Sequence, residues 1–327
     1  MDTGTHMVMG IALGGLATLD PVVSQNPAFH QAVIAGTIIG SNAPDFDTIL
    51  KLKNNAIYIR HHRGVTHSIP SVLLWPLLIT MTITIFVPDP DLFHLWLWTF
   101  LAVFLHVFVD LFNAYGTQAL LPFSRKWIAF GIINTFDPFI FSTHLLAISL
   151  WFAGLDPGPL FFAMYAVIVI YYVWRIIVHR MLVHKVKQKI PDAEEIIVSP
   201  TIRWDKWLVS VKTETHFFVA QAKKMKVTIL DRYERRPIPD SPVINAAKKD
   251  KNLSAFLAFS PIYRWKIEET SNGYKVRFID LRYRSKEHYP FVAVVKLNKK
   301  LEIQSSYTGW IYSEDRLQKK LNPVNNF

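Results

Sequence analysis

Residues 92–115 read LFHLWLWTFLAVFLHVFVDLFNAY, and this stretch decides the fold. It is apolar for long enough to cross a bilayer as a helix, which takes about 20 residues. Yet its second half carries His106 and Asp110. Residues four apart on a helix project from one face, one turn from each other. A charged group inside hydrocarbon costs about 2.5–3.5 kcal/mol on insertion scales, and such groups are usually functional. A neutral histidine hydrogen-bonded to a packing aspartate is the competing reading. The company of the pair tips the balance: His6, Asp45, Asp47, His62, His67, Asn113 and Asp137 all fall where they can reach the same membrane edge.

With 327 residues there is room for two domains. Hydrophobic residues make up 51% of the chain, high for a protein wholly in water, and there is no cysteine. Disulfides and thiolate ligands are therefore excluded, so any metal must be held by histidine and carboxylate. Charge is unevenly spread. Residues 1–180 carry 8 Lys and Arg against 9 Asp and Glu, whereas residues 181–327 carry 28 against 16. An apolar domain, 1–180, is thus expected to precede a basic domain, 181–327. The start, MDTGTHMVMG, has no basic segment or small-residue cleavage site, so no cleavable signal peptide is expected.

Along the chain, 7–19 and 28–40 are short apolar segments that leave open a membrane hairpin or a pair of helices lying against it. Residues 51–63 read as a basic loop. Four clear spans follow, at 69–87, in the opening stretch, at 138–153 and at 160–178. Every Lys and Arg before residue 181 lies in 51–63, at Arg125 and Lys126, or between Arg175 and Arg180, while the turns at 88–91 and 155–159 have none. The positive-inside rule then makes those three regions and the basic domain cytoplasmic.

This orientation brings the polar residues together. His62 and His67 precede one span at its cytoplasmic end, His106 and Asp110 end the next at the same surface, and Asp137 opens the third there. His6, Asp45 and Asp47 flank the short apolar pair on that side. By contrast His30, His94, His144, His179 and His184 are expected in structural or surface roles. Imidazole and carboxylate ligands suit Zn²⁺, Mn²⁺ or Fe²⁺, and this many ligands could hold two ions. Two metals would activate water against a phosphoryl group. Arg63 could grip phosphate oxygens through its planar fork, with Gly64 easing the turn.

The motifs T-H near the N-terminus, P-D-F-D, H-R-G-V-T-H-S, H-V-F-V-D-L-F-N-A-Y-G-T and T-F-D-P occur in this order within residues 1–145. Together they resemble the family of inner-membrane, metal-dependent hydrolases also described as LexA-binding membrane proteins (domain of unknown function 457). The resemblance implies metal ligands at His6, Asp45, Asp47, His62, His67, His106, Asp110 and Asp137. It implies catalytic roles for Arg63, Thr66, Ser68 and Asn113, and a divalent cofactor, Zn²⁺ or Mn²⁺. A fainter likeness to zinc-dependent phospholipase C and P1-type nucleases favours a phosphoester substrate, although this chain has one H-x3-D pair and lacks their N-terminal Trp ligand.

The basic domain reads as mostly β. Strands are expected at 203–213, 215–222, 226–233, 263–269, 274–283, 289–297 and 301–312, with a hairpin at Asn272-Gly273 and a short helix within 244–259. A small antiparallel barrel or sandwich is the expected topology. Its charge suits anionic lipid headgroups, with nucleic acid as the runner-up partner. The fold expected overall is a polytopic helical membrane domain followed by a small cytoplasmic β domain. Two functions compete: a membrane metallohydrolase acting on a phospholipid or lipid-linked phosphoester, or a membrane-bound regulatory or scaffold protein whose basic domain binds protein, lipid or DNA.

Overall fold

A computed structural model of the chain describes residues 1–321. It separates into two compact units, one of Met1–Asp47 with His62–Met181, the other of Thr48–His61 with the chain from Leu182 onward. The sequence division at 180/181 leaves Thr48–His61 in the first domain, whereas its contacts lie with the second.

The first unit is helical. Thr3–Leu16 (α1) is capped by Asp2, whose carboxylate accepts from the Thr5 amide at 3.1 Å. After the turn Pro21–Ser24 (α2), Asn26 caps Pro27–Gly40 (α3), with proline at the first helical position where its missing N–H costs nothing. A 3-10 run, Ala43–Leu52, leaves this unit after Asp47. Asn55–His61 (α4) belongs to the other unit and gives helical structure to a segment expected as loop. Back in the first unit come Ile69–Thr84 (α5), Leu92–Asp110 (α6), Pro138–Phe152 (α7) and Pro157–Lys189 (α8), the last running on past Met181.

Two of the four expected spans stand as single helices long enough to cross, and the bent pair that ends in α5 passes the same test when taken together. Helices α6 and α8, with 19 and 33 residues, are long and apolar enough to cross a membrane. Helices α5 and α7 have 16 and 15 residues. At 1.5 Å per residue they reach only about 22–24 Å, less than a hydrocarbon core of about 30 Å. Their starts are fixed by side-chain caps at Ser68 and Asp137, each followed by proline in the first turn.

The helices that build the site lie unusually close. Helix α1 packs on α3, and α3 on α6. At Gly10 of α1 an added Cβ would meet the Ile38 Cα and the Thr37 carbonyl oxygen of α3, both at 2.8 Å. At Gly36 of α3 it would meet Thr99 Oγ1 of α6 at 2.6 Å. Small residues at helix contacts let backbones approach in this way. Apolar side chains fill the spaces around: Phe29, Val33, Ile83, Leu95 and Val103 in one cluster, Met9, Ala12, Val109, Ile133 and Phe161 in another.

The second unit contains α4 and eight strands: Glu195–Pro200 (β1), Lys206–Lys212 (β2), His216–Lys223 (β3), Lys226–Glu234 (β4), Tyr263–Thr270 (β5), Gly273–Asp280 (β6), Phe291–Asn298 (β7) and Ile303–Trp310 (β8). They form two four-stranded antiparallel sheets, β1-β2-β3-β4 and β5-β6-β7-β8. Seven of them match the expected strands. The eighth, β1, is short and ends on Pro200, which hides it from alternation. The expected helix within 244–259 is two, Pro242–Lys248 (α9) and Lys251–Phe259 (α10), because Asp250 caps a new start through the Leu253 amide at 3.0 Å. Among the described residues the final helix, Glu314–Leu321 (α11), places Leu317 and Leu321 in a core with Phe217 and Val219 of β3, Ile279 of β6 and Val294 of β7.

Candidate metal centre

Helix α6 turns His106 and Asp110 into the interior of the first unit, where both are fully buried. The Nδ1 of His106 lies 2.6 Å from the carbonyl oxygen of Ser41. A carbonyl can only accept, so Nδ1 carries the proton and Nε2 presents its lone pair. Ser41 is the C-cap of α3, where backbone carbonyls lack helical partners.

His67 follows the same logic. The Thr66 hydroxyl donates to Asp47 Oδ2 at 2.8 Å and therefore accepts from His67 Nδ1, 3.1 Å away. The Nε2 lone pairs of His67 and His106 then face each other at 3.2 Å. Asp45 Oδ1 lies 3.5 and 3.8 Å from these two nitrogens, and Asp110 Oδ2 3.6 and 3.9 Å. Neither oxygen accepts a hydrogen bond, although Arg63 Nη2 stands 3.2 Å from Asp110 Oδ2 as an ion pair.

Four lone-pair donors thus converge, with all their atoms within 4.8 Å of one another. Buried polar atoms are normally satisfied; Arg63 pairs with one of these four acceptors, Asp110 Oδ2, and a cation among them would relieve the repulsion of the rest. The spacing fits one. Two imidazoles on a tetrahedral ion at about 2.0–2.1 Å stand about 3.3 Å apart, close to the observed 3.2 Å.

Around this group stands a layer of orienting contacts. Both Asp47 oxygens are taken: Oδ1 pairs with His62 Nδ1 at 2.7 Å, and Oδ2 accepts from the Arg63 amide at 3.1 Å as well as from Thr66. Asp45, Asp47 and His62 also form a second group whose donor atoms lie within 4.8 Å of one another. Asn113 donates to Asp110 Oδ1 at 3.1 Å and accepts from Arg63 Nη1 at 3.4 Å. The Arg63 Nη2 lies 3.2 Å from Asp110 Oδ2 and donates to the Met1 carbonyl at 3.2 Å. The Met1 amine rests on Asp110 Oδ1. It is Arg63, not Gly64, that takes the left-handed conformation at the turn, with φ +63°. Non-glycine residues held there cluster at functional sites.

His6 reaches the group from α1. Its ring stacks on His106 with centroids 3.6 Å apart, and its Nε2 lies 3.5 Å from Asp110 Oδ1. Neither ring nitrogen of His6 has a hydrogen-bond partner.

The structure therefore brings together His6, Asp45, Asp47, His62, Arg63, Thr66, His67, His106, Asp110 and Asn113. Two of the expected residues are placed differently. Asp137 caps α7, its Oδ1 accepting from the Phe139 and Ile140 amides at 3.0 and 3.3 Å, while Oδ2 accepts from the Tyr171 hydroxyl at 2.8 Å. Ser68 caps α5, its hydroxyl donating to the Val65 carbonyl at 2.6 Å. Both have a proline within two positions in the sequence, and that capping signal was available to sequence reading.

The backbone carbonyl of Ser41 has no side-chain signature and was missed. Among the contrasting histidines, His30 bonds the Gly14 carbonyl at 3.0 Å and His144 the Ile140 carbonyl at 2.8 Å. His94 pairs at 2.9 Å with Asp91, a carboxylate the sequence reading passed over.

Three family models match successive parts of the chain. The family model described as YdjM inner membrane protein matches residues 1–182. Models described as the YfhP middle domain and the YfhP C-terminal alpha/beta plait domain match residues 191–233 and 242–321. The chain is 57% identical over 322 residues to the uncharacterized protein YfhP of Bacillus subtilis (strain 168), covering 98% of each. No solved structure matches. With more than half its length matched by the family's model, as the inner-membrane resemblance implied, the chain belongs to the YdjM inner membrane protein family.

Proposed function

We propose that this chain is a membrane metallohydrolase that cleaves a phosphoester of a lipid or lipid-linked substrate at the cytoplasmic face, using Zn²⁺ or Mn²⁺. One observation carries the reading: Asp45, His67, His106 and Asp110 aim unprotonated donor atoms at one point inside an apolar helical unit. These four would hold the ion, with Asp47 and His62 in the layer that supports it and His6 beside Asp110. A divalent ion there supplies Lewis acidity toward a phosphoryl oxygen and lowers the pKa of water.

The chain's own residues do the rest. Ser41 and Thr66 fix the imidazoles of His106 and His67 in the tautomers that present Nε2. Asn113 holds Asp110 by one oxygen. The guanidinium of Arg63, at the edge of the group, meets the phosphoryl oxygens and stabilises the charge that develops on them. The distribution of Lys and Arg favours a cytoplasmic site, with the basic domain on the same side against anionic headgroups and short helices completing the passage.

Turnover tests this. Purified protein in detergent, supplied with Mn²⁺ or Zn²⁺, is expected to hydrolyse a lipid phosphoester. Arg63→Lys keeps the charge but loses the fork, and is expected to lower the rate by about 10²–10³ with metal retained. No turnover of any phosphoester by folded, metal-loaded protein would reject the reading. Reporter fusions after Lys189 and at Asp89 test the orientation, the first expected inside and the second outside.

A further inference from the structure

Between α5 and α6 lies an apolar groove of about 310 Å³. Val72 and Leu73 line it from α5, Phe100 and Phe104 from α6, and Ala119 and Leu120 from the segment that follows α6. Among its lining residues His67 alone is polar, and it is fully buried, with its Nε2 turned to the ligand group. That residue belongs to the group of four described above. The open side of the groove is apolar too: Leu73, Phe104 and Leu120 are 49, 47 and 45% exposed. A water-facing groove would not be finished this way, and α6 is long and apolar enough to stand in hydrocarbon.

We propose that this groove holds one hydrocarbon chain of a lipid phosphate and places its polar end beside the buried group to which His67 belongs. Two features select that occupant. A lining without polar groups except at one point matches a molecule that is apolar except at one end. The volume, at the lower bound of the roughly 300–1,000 Å³ usual for ligand pockets, suits a single chain better than two. A helix from another protein could cover the open side but would bring no anionic group beside that buried group. The inference rests on the hydrolase reading only for what happens to the headgroup; occupancy of the groove needs no turnover.

The probe is dodecyl phosphate bearing a photoactivatable diazirine on its chain, used with the full-length protein in lipid nanodiscs. Labelling is expected on α5 and α6 peptides that line the groove, and unlabelled dodecyl phosphate, but not inorganic phosphate, is expected to compete. Ala119→Trp fills the groove from a partly exposed position and is expected to reduce labelling at least about tenfold, the least that one methylene's misfit in an apolar pocket usually costs. Leu73→Trp, on an exposed face of α5, provides a second filling variant should the first not fold. Leu146→Trp, on an exposed face of α7, is expected to label as wild type.

Labelling that both filling variants leave unchanged would overturn the proposal, as would equal competition by inorganic phosphate. So would a filling variant that alters oligomeric state but not labelling, which would make the groove a protein interface. Chain binding without turnover would keep the groove and remove the hydrolase. Turnover of a short soluble phosphoester, with labelling unaffected by filling, would keep the hydrolase and remove the groove.

Discussion

Replacing Asp47 by alanine separates orientation from ligation. In the structure this carboxylate accepts from His62 Nδ1 at 2.7 Å, the Arg63 amide at 3.1 Å and the Thr66 hydroxyl at 2.8 Å, and Thr66 in turn holds His67. Asp47→Ala leaves the Arg63 amide without its acceptor, which costs about 1–3 kcal/mol of stability if it stays buried and unpaired. It also frees Thr66 to rotate, so His67 loses the contact that fixes its tautomer. Loss of such supporting contacts typically weakens metal binding by 10–100-fold, or about 1.4–2.8 kcal/mol.

Competition with a chromophoric chelator, on detergent-purified protein, measures this directly, with thermal unfolding followed in parallel. The expected result is weaker binding at unchanged stoichiometry. Asp47→Asn, which retains one acceptor oxygen, should fall between the two. Unchanged affinity in a folded Asp47→Ala would refute the orienting role. Loss of a whole equivalent of metal would refute it in the other direction, making Asp47 a ligand in its own right.

Two further outcomes follow from packing and charge. Gly10→Ala places a methyl 2.8 Å from the α3 backbone at Ile38 and Thr37, and is expected to cost about 1–3 kcal/mol as overpacking does; because Ser41 ends that helix, metal affinity should fall with the melting temperature. Glu314 of α11 bonds Lys275 Nζ at 2.7 Å and pairs with Arg277 Nη2. Burial works against its ionisation, but these two cations hold it down from the usual 4.5 to about 2. A depressed folded value means the stabilisation is complete above 4.5 and disappears as pH falls toward 2. The difference in thermal stability between wild type and Glu314→Gln should therefore shrink over that range, and a difference independent of pH would contradict the assignment.

Much of this was written in the sequence. The run at 92–115 delivers α6 with its start intact, and the i, i+4 spacing puts His106 and Asp110 on one buried face. Its last five residues leave the helix because the chain turns back there: the Phe112 carbonyl accepts from the Ile132 and Ile133 amides at 2.7 and 2.9 Å. That closure is long-range and carries no local pattern. In the second unit, alternation located seven strands, but their split into two sheets depends on pairing between distant segments, such as β6 with β7.

The ligand group was legible through side chains that want metal or water, and its supports were not. The carbonyl of Ser41 could be any residue's. Asp137 shows the opposite failure: an Asp-Pro pair before an apolar run is a helix start, and its place in a motif drew attention from that simpler role. The expected spans at 69–87 and 138–153 begin where α5 and α7 begin; α5 ends three residues sooner, at Thr84, and α7 one residue sooner, at Phe152.

Metal binding by the buried group is the central question. Elemental analysis of detergent-purified protein, with His106→Ala and His144→Ala beside wild type, tests this most directly. His144 is buried in a helix like His106, but its Nδ1 is spent on its own helix and it joins no ligand group. Bound divalent metal is predicted in wild type and in His144→Ala, and lost from His106→Ala while the protein still melts cooperatively. No metal in folded wild type, or equal metal in all three, would contradict the account.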